Sequence, residues 1–227
     1  MWTRLAVVAP LLLATPALAV SLGDLSDRDA AGGLKEALTQ GVGKAVALLG
    51  RTDGFLGNSQ VRIPLPDGLR QAESVMRFTG MGRQAGELVT AMNRAAEAAV
   101  PEAKQLLVGA VEQMTVDDAK KILTGGDDSA TRYFQSKTMD PLTQKFLPIV
   151  RKATEQLQLA QKYDELAGQG ARLGLVRAED ATIEDYVTRK ALDGLFFMIG
   201  EEEKAIRRDP LGAAGSLAQK VFGALGS

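Results

Sequence analysis

Asn93 and Glu97 are the first residues in this chain with the makings of a site. They stand four apart in Met92-Asn93-Arg94-Ala95-Ala96-Glu97, a spacing that places both on one face of a helix. Their neighbours on that face, Met92 and Ala96, are apolar. An amide and a carboxylate at the edge of a buried face can ligate a hard cation or hold a polar ligand. With Arg94 beside them they can equally close an inter-helix hydrogen-bond network, because a buried polar group must be paired whatever its role.

Three other places bear on chemistry. Gly125-Gly126-Asp127-Asp128-Ser129 is an acidic loop leading into a helix. Asp127 and Asp128 could ligate Ca²⁺, but the alternating oxygens and distal Glu of an EF-hand are missing. Capping of the following helix needs one of Asp127, Asp128 and Ser129 and no metal. Glu201-Glu202-Glu203-Lys204-Ala205-Ile206-Arg207-Arg208 puts three carboxylates in a row. Consecutive helical residues diverge, so the three cannot converge unaided, and Glu203 with Arg207 makes an i,i+4 ion pair. The expectation is a solvated face, with a Glu joining Asn93 or Glu97 only if it turns inward. Tyr186 and Lys190 share the spacing of some dinucleotide reductases. No Gly-rich phosphate loop follows a strand here, so that reading fails on context.

Composition narrows the chemistry further. The 227 residues contain no His and no Cys. Ser-His-Asp and Cys-His nucleophile systems, imidazole or thiolate zinc sites, iron–sulfur clusters and His- or Cys-ligated haem are excluded. No cofactor is predicted. A metal site would need oxygen ligands, favouring Ca²⁺ or Mg²⁺. Asn93 and Glu97 with Asp127, Asp128 or one of Glu201 to Glu203 could form one, with a hydrolytic role. Lys and Arg number 27 against 28 Asp and Glu, a balance that argues against a nucleic-acid partner.

The elements that must position these residues read as helices throughout. Leu34, Ala37, Leu38, Val42, Ala45, Leu48 and Leu49 recur at three- and four-residue spacing. Residues 51–66 form the one long irregular segment. Ile63-Pro64-Leu65-Pro66 must be extended there, since a residue before Pro avoids the helical region. This segment is either a functional loop or a strap pinned by Phe55, Leu56, Ile63 and Leu65. Helices are then predicted from Asp67 to about Phe78, from about Arg83 to Val100, and onward from Pro101. Another is capped by Thr115, and the next runs from the Asp127–Ser129 loop through Phe134. Asp140 caps a further helix, with Pro141 in its first turn and a kink at Pro148. Tyr163 and Leu166 mark a short helix that ends near Gly168-Gly170. Thr182 caps the last major helix, Ile183 to about Arg208. Its apolar residues, Phe197 among them, cover more than one face, which predicts the buried centre of the fold. Leu217, Val221, Phe222 and Leu225 predict a small C-terminal helix. No segment shows strand alternation.

Met1 to Ala19 reads as a secretory signal: Arg4, an apolar run from Leu5, Pro16, then Ala17-Leu18-Ala19 as the cleavage pattern. The run is short of the ~20 apolar residues needed to span a bilayer. Cleavage is expected between Ala19 and Val20, followed by a loosely held arm over 20–32 and one domain over 33–227. The expected location is periplasmic or secreted. A Cys-free exported chain must hold itself together by packing.

Several motifs occur together and in order: Gly33-Leu34-Lys35-Glu36-Ala37-Leu38; Asp53-Gly54-Phe55-Leu56 with Ile63-Pro64-Leu65-Pro66; Met92 to Glu97; Asp118-Ala119 with Ile122-Leu123. Asp127-Asp128 with Ala130-Thr131 and Tyr133-Phe134, Tyr186-Val187-Thr188, Ala191 to Phe196 and Glu203 to Arg207 complete the set. In these the chain resembles the bacterial exported proteins of the domain-of-unknown-function DUF4197 family. The resemblance implies a predominantly helical secreted or periplasmic domain. It supplies no catalytic residue, ligand or partner. The expected architecture is one all-α domain of about eight to ten helices around the Ile183–Arg208 segment. The expected function is a non-enzymatic module binding an envelope protein or component. The alternatives are a carrier of a small apolar or amphipathic ligand, for which Met76, Met81, Met92, Met114 and Met198 could line a pocket, and the oxygen-ligated metal site.

Overall fold

In the computed structural model, residues 26–71, 80, 82–172, 177 and 180–209 are described. The signal segment, residues 20–25 of the arm, the later part of the helix expected from Asp67, and the C-terminal helix expected at Leu217–Leu225 lie outside them.

The first helix, α1, runs from Asp27 to Leu49. It starts inside the stretch assigned above to an arm. Ser26 is the reason: its Oγ accepts the Asp29 N–H at 3.2 Å, and Asp27 and Asp29 place negative charge at the positive end of the helix dipole. Ala31 and Gly33 are already buried in this turn. Cap and burial together outweigh the cost of Gly32-Gly33, about 1 kcal/mol each.

After the irregular segment 51–66 come α2 (Asp67–Gln71) and α3 (Gly82–Ala99). A 3₁₀ turn over Val100–Glu102 leads into α4 (Ala103–Glu112). Pro101 falls in that turn, where a missing N–H does least harm. α5 (Val116–Leu123) opens on a reciprocal capping box between Thr115 and Asp118. The Thr115 hydroxyl and backbone N–H hold the Asp118 carboxyl below the usual carboxylate range. Then follow α6 (Ser129–Thr154), α7 (Gln158–Arg172) and α8 (Ile183–Arg208). Among the described residues the architecture is all-helical, with seven helices of eight residues or more and the five-residue α2.

That count falls slightly below the expected eight to ten: two expected helices lie wholly or partly outside the described residues, and α6 joins two others into one. The boundary expected at Asp140-Pro141 does not occur, and Pro148 does not interrupt the helix; Ser129–Thr154 is one helix with both prolines inside it. Its buried positions Ala130, Phe134, Thr138, Leu142, Phe146, Val150 and Thr154 form an unbroken every-fourth-residue ladder. An interior Pro costs about 3 kcal/mol in isolation. Burial of this ladder overrides it, and the carbonyls freed by Pro141 and Pro148 belong to exposed residues, Lys137 and Gln144. α7 ends at Arg172, two residues beyond the expected Gly168-Gly170 stop.

The Ile183–Arg208 helix is the centre of the core. α8 packs along α6 and against α1 and α3. Thr182 accepts the Asp185 N–H at 3.1 Å as its cap, and Ile183, Val187, Ala191, Leu195 and Phe196 are buried. Phe197 is not part of this interior; it is 41% exposed. No described helix is long and apolar enough to cross a membrane.

Candidate functional site

The irregular segment 51–66 is held against α3 and α8 by the very residues singled out for chemistry. Phe55, Val61, Ile63 and Leu65 anchor it in the core. Anchoring such a segment buries its backbone amides, and each then needs an acceptor. Glu97 supplies two of them: its Oε1 accepts the Phe55 N–H at 3.0 Å and the Leu56 N–H at 3.1 Å. Asn93 pairs with Ile63 in both directions, its Oδ1 accepting the N–H at 2.9 Å and its Nδ2 donating to the carbonyl at 2.9 Å. Nδ2 also donates to Val89 O at 2.8 Å. Tyr186, from α8, donates its hydroxyl to Pro64 O at 3.1 Å.

Arg94 closes the cluster from the solvent side. Its Nη1 meets Glu97 Oε2 at 2.6 Å and its Nη2 meets Asp53 Oδ1 at 2.8 Å. These two carboxylates raise the Arg94 pKa. Asp53 takes a left-handed backbone with φ 63°, a conformation open to Asp at modest cost. Gly54 follows where a Cβ would lie 2.3 Å from Leu49 O, so the turn onto α1 admits only Gly. Across the segment, a Cβ on Gly194 would meet Phe55 Cε1 at 2.8 Å. The small residue on α8 is what lets the Phe55 ring seat.

Glu203 and Arg207 form a second, separate cluster. Glu203 does turn inward, contrary to a solvated face, and is 4% exposed. It does not join Asn93 or Glu97. It caps α6 from another helix: Oε1 accepts the Ala130 N–H at 3.0 Å, and Oε2 accepts the Thr131 N–H and hydroxyl, each at 2.9 Å. A carboxylate suits this place because a helix start presents unpaired N–H groups and a positive dipole end. Arg207 Nη2 pairs with Glu203 Oε1 at 2.9 Å, and also donates to Ile122 O and Ser129 Oγ. The pair thereby ties the end of α5 to the start of α6. The capping expected of the Asp127–Ser129 loop is thus taken over by Glu203: Asp128 occupies the N-cap position without a side-chain cap bond. Its carboxylate instead pairs with Arg132 at 2.6 Å, in solvent. Asp127 is exposed.

The family-model comparison covers residues 24–223, with the description "Protein of unknown function (DUF4197)". The chain belongs to the DUF4197 family. No curated protein matches it significantly, and neither does any solved structure. Membership in DUF4197 brings no residue role with it, so the roles in this DUF4197 chain rest on its own geometry.

That geometry separates what the metal reading would bring together. Glu97 and Glu203 belong to different clusters, and both carboxylates face N–H donors where ligation needs a cation. Among the described residues, no group of three or more Asp or Glu is arranged to hold a metal ion. Met92, Met114 and Met198 are buried core residues, while Met76 and Met81 lie outside the described residues. Several structural polar residues carried no readable signal. Asp164 on α7 accepts the Ile183 N–H at 2.6 Å; burial pushes its carboxyl up against that one stabilising bond. Asp180 is also raised by burial, but Arg189 and Arg177 outweigh that and hold it low. Only Asp53 could have been found, through the Asp53-Gly54 turn signal.

Proposed function

We propose that this DUF4197 protein is an exported, non-enzymatic binding module of the periplasm. One observation carries the reading. Asn93, Glu97 and Glu203, the buried polar side chains with a catalytic or ligating vocabulary, each have an oxygen engaged by backbone N–H of the same chain, and the second Glu97 oxygen is taken by Arg94. A group satisfied in this way is a packing device, and using it for acid–base work or metal ligation would undo the segment it holds. Export is supported by the Arg4, apolar-run and Ala17-Leu18-Ala19 pattern. A module of this kind works through a surface, and its partner is an envelope protein or component. Native mass spectrometry of the protein taken from its own periplasm is the test. The expected result is a chain beginning at Val20 that carries a partner chain or a small molecule. A chain retaining Met1–Ala19, or one that arrives bare and turns over substrate, would overturn the reading.

A further inference from the structure

A groove of about 510 Å³ runs between the extended run 62–66 and the first half of α3. Leu65, Ala85 and Val89 give it an apolar side. Its floor at Gly86 is bare backbone: a Cβ there would meet nothing within 4 Å. Thr90 adds a hydroxyl that already donates to Gly86 O at 2.9 Å. Among the described residues lining the groove, Arg62 is the charged one.

Arg62 is exposed, so an occupant of the groove meets its guanidinium directly. It has no acid partner among the described residues. The acids that flank it in the chain pair elsewhere: Asp53 with Arg94 at 2.8 Å, and Asp67 with Arg70 at 2.7 Å. The groove therefore carries one unanswered positive charge beside apolar surface, and its complement is one negative charge on an apolar body.

Size and surroundings narrow the occupant. The volume falls within the roughly 300–1,000 Å³ of small-molecule sites. A protein partner would need about 800 Å² of surface built around large anchors. The exposed large apolar side chains among the described residues, Val116 and Phe197, line no part of this groove. One guanidinium matches a carboxylate in charge and in bidentate geometry. A phosphomonoester, with a charge of about −1.5 to −2, would stay partly unneutralised there. Ile63 bonds to Asn93, which sets its neighbour Arg62 towards the Thr90 end of the groove. From Thr90 back to Gly82, α3 spans about 12 Å, a length that suits a medium-chain acid.

We infer that this groove binds a medium-chain aliphatic carboxylate, with its carboxylate on Arg62 and its chain lying over Gly86 along Leu65 and Val89. The inference rests on the binding-module reading and names a ligand class for it.

The probe is decanoate, titrated calorimetrically into the full mature chain at neutral pH and below its micelle concentration. Saturable binding at a single site is expected. Arg62→Gln should weaken it by at least about ten-fold, the worth of a charge-assisted hydrogen bond, and its side chain has no ion pair in the fold to lose. Gly86→Leu should abolish binding by filling the floor, without lowering the melting temperature, since Leu is the better helix former and projects into open space. Decan-1-ol, which lacks the charge, should bind at least about ten-fold more weakly than decanoate. No saturable binding, equal affinity for decanol and decanoate, or unchanged affinity in either variant would each overturn the inference. If decanoate fails to bind while native mass spectrometry finds a partner chain, the groove loses its ligand and the module reading stands.

Discussion

Glu97 offers the sharpest contrast between a structural carboxylate and a chemical one. Glu97→Ala removes the acceptor of two amide groups, Phe55 N–H and Leu56 N–H. The first is fully buried; the second is part-buried. An unpaired buried donor costs about 1–3 kcal/mol, with the lower figure where water can reach. The substitution should therefore destabilise the fold by roughly 2–4 kcal/mol. That is a large part of the 5–15 kcal/mol typical of a domain. Glu97→Gln keeps an oxygen at the same reach, able to accept both N–H groups, and forfeits only the pairing with the solvent-facing Arg94 guanidinium. Its cost should be less than half as large. Urea unfolding of the mature chain measures both. With an m-value of about 2 kcal/mol/M, Glu97→Ala lowers the midpoint by about 1–2 M at unchanged m. Two results would refute the reasoning. Equal losses in the two variants would mean that the negative charge itself matters. A near-neutral Glu97→Ala would mean that the segment 51–66 is not held from α3.

The remaining expectations are briefer. Gly194→Ala drives a methyl into the Phe55 ring and should cost about 1–3 kcal/mol, read as a lowered melting temperature that Phe55→Leu partly restores. Thr115→Ala removes the hydroxyl of the α5 capping box, for about 1 kcal/mol by urea unfolding. Because the folded-state Asp118 carboxyl sits below its ordinary 3.8, its contribution is present above that pH and is lost on acidification below it; Asp118→Asn should flatten this part of the acid limb of stability. The Tyr163 and Tyr186 hydroxyls are pushed up to about 12, mainly by burial. Their stability contribution is complete below pH 10 and is lost as pH rises towards 12. An absorbance titration at the phenolate band should show each no more than about a tenth ionised at pH 11 unless the chain unfolds. Ca²⁺, Mg²⁺ and Mn²⁺ should each leave the melting temperature unchanged; a rise of several degrees with any of them would reopen the metal reading.

Much of this molecule can be read from spacing alone, and the failures have physical causes. The limits of α8 and the Thr115 and Thr182 caps follow from local signals that tertiary structure did not oppose. α6 does not read as one helix in the sequence because Asp140-Pro141 carries the local signature of a helix start. Only the buried ladder from Ala130 to Thr154, which needs the neighbouring helices to exist, shows that the chain continues. Asn93 and Glu97 were visible as a polar pair on a buried face. Their partners were not, because Phe55, Leu56 and Ile63 contribute backbone groups, which leave no trace in residue type. Glu203 misled for a related reason. In sequence it belongs to a charged run, and its true role depends on α6 starting beside it, more than 70 residues away. Phe197 sits in the most apolar stretch of α8, yet it is 41% exposed, facing out from a helix packed from several sides.

Amide hydrogen exchange of the mature native chain tests the central claim most directly. If Asn93 and Glu97 serve to lock the segment 51–66 into the core, the Phe55 and Ile63 amides exchange as slowly as those in the middle of α3 and α8, and only through global unfolding. Fast exchange at Phe55 and Ile63 beneath protected helices would contradict this. The segment would then be a loop that opens on its own, with Asn93 and Glu97 free to do something else.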